Sequence, residues 1–110
     1  MSEYEVLRLS KATRTHSDGA DDTDNVITLA ATAGKAHSVG RVDFSYSDTP
    51  TDATLTVAVN GSTVWQQFVT AGGLGPLDLG WLTGGTGEAV VVTLSSGGAG
   101  VTSKLTVTHD

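Results

Sequence analysis

The sequence predicts an all-β fold, an antiparallel β-sandwich of roughly seven or eight strands with jelly-roll-like or immunoglobulin-like topology. Its composition favours strands and turns, because 17 Thr and 14 Gly stand against only three Glu and three Lys. Turn signals also recur at intervals of about eight to twelve residues, the spacing typical of short strands. A chain of 110 residues has a common length for one domain, so residues 1–110 are expected to form a single sandwich.

Residues 1–9, MSEYEVLRL, have two open interpretations. Their apolar side chains alternate only loosely, and an acidic segment follows them. They are either an ordinary first strand of the sandwich, or a docking arm or exchanged edge strand that adds to an exposed sheet edge of a partner. In the second interpretation the partner receives four apolar side chains, Tyr4, Val6, Leu7 and Leu9.

Residues 15–25 are predicted to form an exposed acidic loop. The segment has no apolar side chain larger than alanine, and it contains four aspartates, Asp18, Asp21, Asp22 and Asp24. Their spacing does not match an EF-hand loop, and no Glu completes a calcium site. We therefore favour solvated carboxylates over a bound cation and predict no metal site.

The middle of the chain contains the clearest strand patterns. In SVGRVDFSYS, residues Val42, Phe44 and Tyr46 alternate with polar residues and are expected to face the core. Asn60-Gly61 stands between the β-rich runs ATLTVAV and STVWQQFV. Such a pair predicts a tight hairpin, because the turn requires left-handed backbone.

After the hairpin the pattern becomes mixed. Both faces of STVWQQFV carry apolar and polar side chains, which is typical of an edge strand or a subunit contact. The following segment, AGGLGPLDLGWLTGGTG, is punctuated by glycines and holds large apolar residues. We expect a long irregular connection that crosses between sheets.

The chain closes with EAVVVTLSS and KLTVTH, both predicted strands, joined by a glycine-rich link. A phosphate-binding loop requires a helix after its glycines. Here a Thr-rich β segment follows instead, so the glycines indicate a corner between strands.

Composition and residue spacing exclude several function classes. The absence of cysteine removes disulfides and thiolate chemistry, and the net charge of −6 argues against nucleic acid or an anionic membrane as a partner. His16, His37 and His109 are spaced without a metal-ligand or triad pattern. We therefore predict a protein without enzymatic activity or cofactor, synthesised in the cytoplasm.

Residues 36–108 resemble small structural proteins encoded among the head genes of tailed bacteriophages. The resemblance rests on the order of DFSYSDTPTDATLTV, STVWQQFVTAGGLGPLDL and LTGGTGEAVVVTLSSGGAGVTSKLTVT. The matching positions are Ser45, Tyr46, Ser47, Pro50, Thr51, Leu55, Gly75, Pro76, Leu77, Gly97, Gly98, Gly100, Val101, Thr102, Lys104 and Leu105.

This resemblance implies a virion structural protein, a capsid decoration protein that binds the major capsid protein on the outer surface of a phage head, as a homo-oligomer and most often a trimer. The alternatives are a phage tail or baseplate subunit and a carbohydrate-binding β-sandwich module, the latter because Trp65 and Trp81 are candidates for sugar stacking. Large apolar residues in irregular positions indicate a partner contact. The candidate contact residues in this part of the chain are Trp65, Phe68, Trp81 and Leu82.

Overall fold

The computed structural model describes residues 12–71 and 76–110, and these residues contain eight β-strands. In chain order they are β1 (Thr13–Gly19), β2 (Asn25–Leu29), β3 (Ser38–Tyr46), β4 (Ala53–Val59), β5 (Ser62–Val69), β6 (Leu77–Thr83), β7 (Val90–Leu94) and β8 (Ser103–His109). Within the described ranges no helix is long and apolar enough to cross a membrane. The predicted all-β class is confirmed.

The strands form two four-stranded antiparallel sheets. Sheet A has the order β1-β8-β3-β6, and sheet B has the order β2-β7-β4-β5. Only the β4–β5 hairpin joins strands of the same sheet, and every other connection between consecutive strands crosses between sheets. This is the strand order of a jelly roll. The predicted sandwich is confirmed, and its topology is the jelly-roll alternative.

Alternate residues of both sheets form the core. Val42, Phe44 and Tyr46 of β3 are buried as predicted, and Leu55 and Val57 of β4 are fully buried. Successive residues of a strand point to opposite sides, so this alternation turns the intervening residues toward solvent. The predicted inward face of the middle strands is therefore confirmed.

The β4–β5 hairpin turns at Asn60 and Gly61. Their φ angles are 50° and 83°, so both residues adopt left-handed backbone. Val59 and Ser62 are paired directly on either side of the turn. The Asn-Gly prediction is confirmed, because such a two-residue turn needs positive φ at both positions.

Strand β6 corrects the prediction that the glycine-punctuated segment is irregular throughout. Leu77–Thr83 pairs with β3, and the pairing shifts register between Val39 and Arg41. Gly80 and Trp81 adopt φ angles of 62° and 60° at this irregularity. The glycine therefore marks an interruption inside an edge strand. The predicted crossing is present on both sides of β6, since β5 and β7 belong to sheet B.

The predicted acidic loop is also shorter than residues 15–25. Strand β1 pairs with β8 as far as Gly19, and buried Asn25 begins β2. Only residues 20–24 connect the two strands. The loop prediction was wrong for residues 15–19 because β1 is an edge strand with mostly exposed polar side chains, and such a strand shows no apolar alternation.

The predicted docking arm, residues 1–9, lies outside the described residues. The same holds for the four side chains that we expect it to present, Tyr4, Val6, Leu7 and Leu9.

Candidate functional site

The two sheets of the sandwich differ in the number of charged residues on their strands. The four strands of sheet B contain no charged residue. The strands of sheet A carry both signs, at Arg14, Asp18, Arg41, Asp43, Asp78 and Lys104. A ligand on the outer side of the sheet B strands therefore meets uncharged side chains, and the carboxylate nearest to Phe68 is that of Asp52, which lines a neighbouring hollow with it just before β4.

The strand register defines the outer side of sheet B. Leu55 and Val57 face the core, so Thr54 and Thr56 on the same strand point outward. Neighbouring strands place directly paired residues on the same side. We name the resulting surface the neutral face; it consists of Val26, Thr28, Thr54, Thr56, Ala58, Gln66, Phe68, Val91 and Thr93, together with Val64, which has no partner on β4 at the register shift but alternates with Gln66 and Phe68 along β5.

The neutral face carries the exposed large hydrophobic side chains found among residues 12–71 and 76–110. Phe68 is 77% exposed, Val64 50% and Val26 46%. Val26 lies on β2 and the other two on β5, which are the two edge strands of sheet B. Val26 is thus three strands away from β5, and Gln66 stands between Val64 and Phe68, so Phe68 is the main exposed apolar group of this surface.

A shallow hollow on this face combines an aromatic ring with hydrogen-bonding groups. It has a volume of about 380 Å³ and is lined by Thr54, Gln66, Gln67 and Phe68. Phe68 and Thr54 are direct neighbours on adjacent strands. The Thr54 hydroxyl and the Gln66 amide can each donate and accept hydrogen bonds, whereas Gln67 is paired with buried Leu55 and points to the other side of the sheet. None of the four side chains titrates near neutral pH, so the hollow offers stacking and hydrogen bonding rather than acid–base chemistry.

Of the predicted contact residues within the described ranges, Phe68 is exposed and the others are partly buried. Trp65 and Leu82 pack against the core. The ring of Trp81 lies against Gly40, where an added Cβ would come within 2.9 Å of ring atoms. The two tryptophans thus lie on the edge strands β5 and β6, where much of their apolar surface is used for packing. Within residues 12–71 and 76–110, the large exposed aromatic ring available for stacking is that of Phe68.

Charged residues of sheet A link β1 to β8. Asp18 Oδ1 accepts a hydrogen bond from Lys104 Nζ at 2.9 Å and lies 2.8 Å from Nε2 of His16. These two contacts, that of Lys104 first, lower the pKa of Asp18. The Nδ1 atom of His16 lies 3.0 Å from the hydroxyl oxygen of Thr106. The Thr106 hydroxyl, His16 imidazole and Asp18 carboxylate follow one another in the order found in a catalytic triad. However, Asp18 also binds Lys104, and these side chains are exposed to water. We interpret this arrangement as cross-strand pairing.

Three aspartates that follow β1 bind the connection between β7 and β8. Asp24 accepts a hydrogen bond from the backbone N–H of Ser96 at 2.7 Å, and Asp22 accepts one from the Ser96 hydroxyl at 2.6 Å. Asp21 accepts one from the N–H of Gly100 at 2.6 Å. We name these three contacts the carboxylate clamp. The described residues include no group of three His, Cys, Asp or Glu side chains placed to hold a metal ion.

The β7–β8 connection, residues 95–102, is the predicted glycine corner, because it carries the chain from sheet B to sheet A. The hydroxyl of Tyr46 donates a hydrogen bond to the carbonyl of Ser95 at 2.7 Å. Burial raises the pKa of this phenol to about 12. The Tyr46 ring also lies so close to Gly97 that an added Cβ would be 2.8 Å from Cδ1. Here glycine permits close packing of a strand end.

Several residues that carry the phage resemblance meet at this corner. The hydroxyl of Ser47 accepts a hydrogen bond from the N–H of Thr102 at 2.9 Å, and the N–H of Thr51 donates one to the carbonyl of Gly97 at 3.0 Å. Their positions are explained by local structure. The positions that carry the phage resemblance therefore include those that form the β7–β8 corner. Most of them lie outside the neutral face.

No protein-family model matches the sequence, and no curated protein matches it. Among solved structures, the chain is similar to the carbohydrate-binding module CBM36 in complex with calcium and xylotriose, with 14% identity, a TM-score of 0.49, and 88% of this chain and 96% of that chain covered. The CBM36-1 domain of a multidomain xylanase from the hindgut metagenome of Trinervitermes trinervoides gives 10% identity, a TM-score of 0.45, and coverage of 86% and 96%.

A viral protein is also among the similar structures. The infectious bursal disease virus VP2 subviral particle gives 19% identity and a TM-score of 0.32 over 89% of this chain and 33% of that chain. Identities and TM-scores in this range carry no argument about function.

Sequence reasoning named Phe68 but missed the residues around it. Gln66 and Thr54 line the hollow with Phe68, and Val26 comes from a distant part of the chain. One signal was present in the sequence, since residues 53–77 contain no charged side chain. Only the jelly-roll order places β2 and β7 beside this segment in one sheet.

Proposed function

We propose that the protein is a non-enzymatic binding module that attaches to a neutral carbohydrate chain through the neutral face. The observation that carries this proposal is the exposed Phe68 ring, set beside Gln66 and Thr54 on a sheet without charged residues. Sugar rings have apolar C–H surfaces that stack on aromatic rings, and hydroxyl groups that bond to amides and hydroxyls. A neutral glycan matches both properties of the hollow.

The expected affinity is low. One aromatic stack and two exposed hydrogen bonds contribute on the order of 1 kcal/mol each. Their sum corresponds to a dissociation constant of roughly millimolar order for a single hollow. Useful attachment then requires several sugar units along the face or several copies of the protein.

The first prediction is that Phe68→Ala abolishes binding without loss of stability. Phe68 is 77% exposed, so its removal takes little from the core. Migration through native gels that contain neutral polysaccharides such as xylan, mannan or β-glucan measures the binding. The matched control is His16→Ala, which removes an exposed ring from sheet A and should bind like the wild type.

Two conditions sharpen this test. Binding at an uncharged surface should be insensitive to added salt, because there is no ion pair to screen. It should also persist in EDTA, since the carboxylate clamp already uses its three aspartates. A wild-type protein retarded by none of the neutral polysaccharides contradicts the proposal, and so does a Phe68→Ala protein that is retarded as strongly as the wild type.

The sequence resemblance favours a second candidate, a capsid decoration protein that binds the major capsid protein at the outer surface of a tailed-phage head. In this case the neutral face contacts protein, and Val26 and Val64 add apolar area to Phe68. A related possibility within this candidate is a subunit of the phage tail or baseplate. Co-sedimentation with isolated heads and tails of a phage that encodes the chain separates the two locations. Loss of head binding in Phe68→Ala, without any glycan binding by the wild type, would favour this second candidate.

A further inference from the structure

Strand β5 has an unpaired outer edge within the described part of the chain. It is the last strand of sheet B, and its other side pairs with β4. The register shift at Ala58 lies near the start of β5 and leaves Trp65 to Val69 in regular register. Alternate N–H and C=O groups of such an edge point outward and can bond to another strand.

The other sheet edges carry features that oppose strand addition. β1 contains Arg14 and Asp18, and β6 contains Asp78 and the left-handed pair Gly80 and Trp81. β2 is short, with five residues. Charges, irregular backbone and shortness are the devices by which natural sheets avoid edge-to-edge contacts.

The eight residues of β5, STVWQQFV, contain neither a charge nor a proline. An edge of this kind is open to another strand. Two copies of β5 suit one another, because antiparallel pairing about a twofold axis brings one surface against itself and an uncharged strand meets no like charge. Paired from Trp65 to Val69, the two strands share five of the eight residues of β5, and the three residues before Trp65 extend the edge further.

We infer that β5 pairs with β5 of a second copy of this chain and forms a twofold dimer with one continuous eight-stranded sheet. Val64 and Phe68 then lie near the seam on the same side of that sheet. The pairing joins two neutral faces into one surface, so two hollows can engage one extended ligand. The dimer does not depend on which ligand the neutral face binds.

Sedimentation velocity across a range of protein concentrations tests the dimer, with Gln67→Lys as the edge variant. Gln67 pairs with buried Leu55 and is itself half-buried at the rim of the sandwich. A lysine there can extend its amine to water in a monomer, whereas a second β5 would cover it. The matched control is Thr28→Lys, which places the same charge on the opposite edge strand of sheet B.

We expect a dimer for the wild type and Thr28→Lys, and loss of the dimer for a folded Gln67→Lys. Hydrogen exchange supplies a measurement that needs no variant, because amides of β5 should become more protected as wild-type protein concentration rises. A wild-type monomer at high micromolar concentration overturns the inference. So does a trimer, a Gln67→Lys dimer, or β5 protection that is independent of concentration.

Discussion

At the scale of single residues, Tyr46 shows both what the sequence predicts and what it does not. Alternation in β3 predicts its inward direction, and the structure confirms this. Its hydroxyl bonds to the Ser95 carbonyl, a partner 49 residues away. No local pattern reveals such a bond, because it exists only once the two sheets have packed.

We expect Tyr46→Phe to destabilise the fold by about 1 kcal/mol, because the Ser95 carbonyl loses its donor while the ring is kept. Urea unfolding followed by tryptophan fluorescence measures the change. The control is Ser45→Ala, an exposed neighbour on the same strand, which should stay within about 0.5 kcal/mol of the wild type. Equal stability of the wild type and Tyr46→Phe would show that the bond contributes nothing.

The raised pKa of Tyr46 leads us to expect a loss of stability at alkaline pH. The pKa of Tyr46 is about 12 in the folded protein, above the ordinary value of 10, so folding favours the neutral phenol. Its contribution is fully present below pH 10 and is lost as the pH rises from 10 towards 12. The stability difference between wild type and Tyr46→Phe should therefore shrink across this window.

At the scale of elements, burial decides what the sequence can predict. Strands β3 and β4 bury one face, so their alternation was visible. The edge strands β1 and β6 were missed, because exposed polar positions and a left-handed interruption remove the alternation. The carboxylate clamp was equally hidden, since its aspartates and their donors are more than 70 residues apart.

We expect Asp24→Ala to lower stability by about 1 kcal/mol, because the Ser96 N–H loses a charged acceptor. The control is Asp48→Ala, since the exposed Asp48 carboxylate accepts a bond from the N–H of adjacent Thr49. Thermal melts of both variants measure the effect. Melting of the wild type should be unchanged by calcium or EDTA, and a rise with calcium would contradict the clamp as described.

At the scale of the whole molecule, the jelly-roll order produces a sandwich with one charged and one neutral sheet. Strands that are distant in sequence become neighbours, so Val26 and Phe68 lie on one surface. The sequence predicted the fold class and one residue of this surface. The remaining residues depend on topology, which periodicity does not determine.

The eight strands of the described residues lie between Thr13 and His109. We therefore expect a chain that starts at Ala12 to fold cooperatively with the melting temperature of the full chain. Scanning calorimetry and circular dichroism measure this. A shortened chain that folds but no longer binds its partner would support the docking arm at residues 1–9, whereas failure to fold would assign those residues to the core.

The pairing of β1 with β8 has a consequence for protein engineering. Thr13 stands opposite His109, and backbone bonds join Asp110 to Ser38 on the adjoining strand. The first and last strands thus enter and leave the sandwich side by side. A host protein with a surface loop could accept residues 12–110 as an insertion, because the two junctions would be separated by little more than the spacing of paired strands.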